Sequence, residues 1–69
     1  MNKYTVFFEQ TATGYSAYAP DLPGCVAAGR TLGGTKRLIA IAIEMHLAAM
    51  LESGDEIPAP SRVELVDVA

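Results

Sequence analysis

The chain has 69 residues, 51% of them hydrophobic, with a net charge of −3, one cysteine and one histidine. A body this small is near the limit at which one core suffices, so a single domain over residues 1–69 is expected, with part of its apolar surface meeting another molecule. The acidic balance excludes a surface built as a nucleic-acid footprint, and lone Cys25 excludes an internal disulfide. No targeting segment or membrane-length apolar run is visible, which fits a cytoplasmic protein.

The first element expected is a strand over Lys3–Gln10, aromatic and β-branched. Tyr4, Val6 and Phe8 fall on one face; Thr5, Phe7 and Glu9 fall on the other. Thr11–Gly14 supplies turn chemistry, and Tyr15–Ala19 returns as the second strand of an antiparallel hairpin.

A stretch rich in geometry-fixing residues follows, Pro20-Asp21-Leu22-Pro23-Gly24. The prolines lock φ and Gly24 permits positive φ, which makes a rigid turn. In this turn Asp21 is read as accepting a backbone N–H two residues on. Cys25–Gly29 is a third short strand.

Then the period changes. From Thr31 or Leu32 to about Ser53 there is no proline and most residues are strong helix formers, with Gly54 placed to end the helix. Leu38, Ile41, Met45 and Ala48 form one apolar row, and Ile39, Ile43 and Met50 another. One small sheet covers one row, so Ile39, Ile43 and Met50 are expected to form an interface between subunits of a dimer or tetramer. Asp55–Ser61 is an acidic, proline-rich connector, and Arg62–Val68 alternates as a fourth strand with Val63 and Leu65 inward. The expected fold is α+β: a three- to four-stranded antiparallel sheet packed on one long helix, in the order β-β-β-α-β.

Few residues point to catalysis. Nothing in the spacing joins Cys25 to His46, and one of each cannot close a zinc site. The acidic residues give no pair arranged for general acid–base work. Gly29–Lys36 has glycines ahead of a helix, but Thr35-Lys36 stand in the inverted order for a phosphate-binding loop. No enzymatic activity, metal or cofactor is expected. Arg30, Lys36 and Arg37 gather where a helix dipole is positive, an unfavourable place for cations that an anion or acidic surface would relieve.

The preorganised turn is the expected partner-binding element. Tyr18 and Leu22 offer apolar contact, Asp21 a carboxylate and Arg30 a bidentate cation.

Tyr4-Thr5-Val6, Gly14-Tyr15, the run Pro20-Asp21-Leu22-Pro23-Gly24-Cys25-Val26, Gly29-x-Thr31, the long helix and Pro58-x-Pro60-Ser61 together resemble the HicB-like antitoxin family. The resemblance implies a partial ribonuclease-H-like domain without enzymatic activity. Members neutralise HicA, a small basic toxin that cleaves messenger RNA, and commonly carry a second, DNA-binding domain. Residues to Ala69 contain no such second domain, so direct DNA binding is not expected. Where the family usually places acidic residues at the helix start, this chain has Gly33, Gly34, Lys36 and Arg37. The alternative function is an orphan oligomeric regulatory or small-ligand-binding module without a toxin partner.

Overall fold

The computed structural model describes residues 3–68. Three short strands, β1 (Phe7–Gln10), β2 (Tyr15–Tyr18) and β3 (Val26–Gly29), precede one helix, α1 (Leu32–Ser53). The strands form one antiparallel sheet in the order β1-β2-β3, with Phe7 opposite Tyr18 and Tyr18 opposite Val26. The fold is α+β. Among the described residues no helix is long and apolar enough to cross a membrane.

The register explains the packing. Strand side chains alternate between faces, so Phe8, Ala17 and Ala27 share one face while Phe7, Tyr18 and Val26 share the other. The small Ala17 lets the helix approach closely; Ala17, Ala19, Leu22, Cys25 and Ile39 form the buried core. Tyr4, Val6, Ala27, Ala42, Ile43, Leu47 and Met50 pack around it, partly buried.

Both helix ends are specified locally. Thr31 caps the start, its hydroxyl accepting from the Gly34 N–H at 3.0 Å. Thr35, fully buried, donates its own hydroxyl to the Thr31 carbonyl at 2.8 Å. At the other end Gly54 adopts φ 75°, its N–H reaching the Leu51 carbonyl at 3.2 Å while the Asp55 N–H reaches that of Met50 at 2.9 Å. This pair of bonds is the Schellman arrangement that a left-handed glycine allows.

Two expectations are corrected. Arg62–Val68 is not a strand: the sheet ends at three, and Val63, Leu65, Val66 and Val68 are exposed. Alternation marks a segment able to pair, but a strand exists only where a neighbour supplies its ladder. Here only the connector is tied down, by Tyr4 Oη donating to the Pro58 carbonyl at 2.6 Å and Thr5 Oγ1 to that of Ser61 at 3.3 Å.

The helix rows are also reversed. Ile39 is only 2% exposed and lies in the core, with Ile43 and Met50 packed beside it. The row that faces solvent is Leu38, Ile41 and Met45. Both rows are apolar, so composition could not rank them; the sheet takes the one whose spacing continues from buried Thr35 through Ile39, Ala42 and Ile43.

Candidate partner-binding surface

The turn between β2 and β3 is held by its own backbone. The Leu22 N–H donates to the Ala19 carbonyl and the Cys25 N–H to that of Leu22, both at 3.0 Å, while the Ala19 N–H reaches the Cys25 carbonyl at 3.1 Å. Gly24 supplies the positive φ, 83°, that closes it. These bonds point Leu22 inward. With 0% exposure it is a core residue and offers no contact to a partner, which corrects its place among the expected binding residues. Cys25 is buried in the same turn, and desolvation pushes its thiol pKa up, away from nucleophilic reactivity.

Asp21 has a different task from the one expected. Its carboxylate accepts the Ser61 N–H at 2.7 Å and also the Ser61 hydroxyl, pinning the connector across forty residues of chain separation. The Ser61 hydroxyl bond, then the Ser61 backbone bond, hold the Asp21 pKa below the ordinary carboxylate value, against a smaller opposing desolvation. A carboxylate so lowered stabilises the fold above its unfolded pKa, and that contribution is lost as pH falls through the folded value. Ser61→Ala is therefore expected to move the Asp21 titration midpoint upward toward the ordinary value. Carboxyl-carbon NMR titration of both proteins checks this, and an unmoved midpoint would refute the pairing.

Tyr18 stands on the sheet face away from the helix. Its ring lies 5.4 Å from that of Phe7, tilted by 32°. Phe7, Tyr18 and Val26 are 46%, 40% and 65% exposed and form one cross-strand apolar row. Phe7 and Val26 lie outside the expected binding set, although alternation along the hairpin carries their signal in the sequence. Arg30 follows the opposite end of β3 and lines an open cleft of about 370 Å³ with Thr11, Thr13, Tyr15, Ala28 and Gly29. The four expected residues thus do not converge: Tyr18 is on the outer face, Leu22 in the core, Asp21 in the turn and bound to the connector, and Arg30 at the far end of the hairpin. Cys25 and the half-buried His46 occupy the turn and the helix respectively. Among the described residues no three His, Cys, Asp or Glu side chains gather to hold a metal.

A model of the HicB-like antitoxin of bacterial toxin–antitoxin systems matches residues 4–68. The chain belongs to the HicB-like antitoxin family. A Haemophilus phage HP1 protein described as an uncharacterized 14.9 kDa protein of the rep-hol intergenic region is 36% identical over 61 residues, 88% of this chain and 46% of that protein. The chain thus spans about half the length of this curated relative. Among solved structures, a chain of the HicA3 and HicB3 toxin–antitoxin complex superposes with a TM-score of 0.73 at 30% identity, covering 87% of this chain and 70% of that one. The HicB-like fold therefore accounts for the sheet, the rigid turn and the helix as one inherited arrangement.

Proposed function

We propose that this HicB-like chain is a non-catalytic binding protein that neutralises a small, basic, HicA-type RNA-cleaving toxin by direct contact. The observation that carries the reading is the exposed Phe7–Tyr18–Val26 row, on the face opposite the helix. A contiguous apolar row with an aromatic pair is what a protein interface anchors on. Family membership supplies the class of partner, and the chain's net charge of −3 suits a cationic one.

Tyr18 anchors the contact in this reading. Asp21 and Arg30 flank it at the two ends of the β2–β3 hairpin and act through charge. Co-expression with a HicA-type toxin, read by growth and by co-purification, is the test. Tyr18→Asp is expected to abolish protection while leaving the circular dichroism of the free chain unchanged. Asp21→Lys is expected to weaken the complex, and raised salt to weaken the native complex and narrow the gap between the two.

A control separates the two tasks of Asp21. Ser61→Ala removes the hydroxyl bond, loosening the connector while keeping the backbone bond and the carboxylate, so it should retain binding. If Ser61→Ala and Asp21→Lys fail equally, Asp21 acts through the connector alone. If Tyr18→Asp protects as well as the native chain, the outer sheet face is not the toxin contact.

A further inference from the structure

The solvent side of α1 carries an apolar row that no other part of the described chain covers. Leu38, Ile41 and Met45 are 46%, 53% and 67% exposed, and exposed Ala48 continues the row at the same three-and-four spacing. This row is separate from the outer sheet face, because the helix and that face lie on opposite sides of the sheet.

The charges at the helix ends identify what covers it. Lys36 and Arg37 are exposed in the first turns, where the helix dipole is positive and no acidic residue stands in the first turn. Glu52, Asp55 and Glu56 are exposed at and just beyond the other end, where the dipole is negative and no basic residue stands in the last turn. Both ends therefore oppose the dipole. The ion pair found among the described residues, Arg62 with Glu64, involves none of them. A second copy of the same helix, laid antiparallel, brings each basic end beside an acidic end and sets the two dipoles head to tail. A parallel copy would stack like charge on like.

We propose that α1 pairs antiparallel with α1 of a second copy across the Leu38–Ile41–Met45–Ala48 row. Arg37, which flanks the row, then faces Glu52 and the acidic residues just beyond it on that copy. The pairing does not depend on the toxin reading, since it uses the other side of the molecule and needs no toxin.

Sedimentation equilibrium of the chain across a micromolar concentration series is the first measurement, with a dimer expected. Ile41→Glu and Met45→Lys should each give a monomer with unchanged helical circular dichroism, since both positions face solvent in the single chain. Arg37→Glu should weaken the dimer by about tenfold, since the two-fold pairing loses the contact twice, as should Glu52→Lys. Both changes in one chain should restore native affinity. Under mild oxidation Met45→Cys, near mid-helix, should cross-link to its own copy and Leu38→Cys should not, with buried Cys25 unreactive in both. A monomer at every concentration, a dimer indifferent to Ile41→Glu and Met45→Lys, failure of the Arg37–Glu52 charge swap to restore affinity, or preferential Leu38→Cys cross-linking would each overturn the proposal.

Discussion

Ile39→Asp is expected to leave the chain unfolded at room temperature. Ile39 is 2% exposed and packs with Ala17, Ala19, Leu22 and Cys25, a core with no cation to pair a carboxylate. An unpaired ionised carboxylate in such a place costs several kcal/mol. A chain of 69 residues has about 3–10 kcal/mol of total stability to lose. Leu22→Ala, at the other wall of the same core, should cost about 2–5 kcal/mol and lower the urea midpoint sharply. Met45→Asp, on the exposed row, should leave the fold intact. Far-UV circular dichroism and urea titration of the three variants decide the matter. A folded Ile39→Asp protein alongside an unfolded Met45→Asp protein would mean that the helix presents its other row to the sheet.

That contrast also measures how far the sequence could be read. The hairpin, the third strand and the helix from Leu32 to Ser53 were legible because each rests on local chemistry: β-branched and aromatic runs, turn residues, a threonine cap and a terminal glycine. The orientation of the helix was not legible, since apolar residues on most of its circumference leave the choice of buried row to the sheet it meets. The burial of Leu22 is not legible, because its neighbours Pro20 and Pro23 mark a loop. Three backbone bonds within that turn instead direct its side chain inward. The Asp21–Ser61 contact joins residues forty apart, and no local pattern announces it. Arg62–Val68 shows the converse: its alternation is real, but pairing is a property of two segments. The outer-face row is legible only in part, since Tyr18 stands beside the turn whereas Phe7 and Val26 join it only through the hairpin register.

The last expected result turns on how closely the helix meets the sheet. Strand propensity alone says that Gly29→Val should stabilise β3, since glycine is a poor strand residue and valine a good one. The packing reverses the sign. A Cβ at position 29 would lie 2.7 Å from Thr35 Oγ1, 3.2 Å from the Thr35 nitrogen and 3.4 Å from its Cα. Two of these three atoms are helix backbone and cannot rotate away. Gly29→Val is therefore expected to destabilise by about 1–3 kcal/mol or more, by forcing α1 off the sheet. Gly14 interlocks from the other side, because a Cβ there would run into the Gly29 carbonyl oxygen and come within 2.8 Å of Arg30 Cα. Gly14→Ala should accordingly be as damaging as Gly29→Ala. A double-mutant cycle isolates the cause. Thr35→Ala alone loses the hydroxyl bond to the Thr31 carbonyl and should cost about 1 kcal/mol. In the Gly29→Ala background it also removes the nearest clashing atom, so its cost should shrink or vanish. Thr35→Ser, which keeps the hydroxyl oxygen, should bring no such relief. Urea midpoints for the single and double variants supply the coupling, and strictly additive losses would show that the helix does not rest on Gly29.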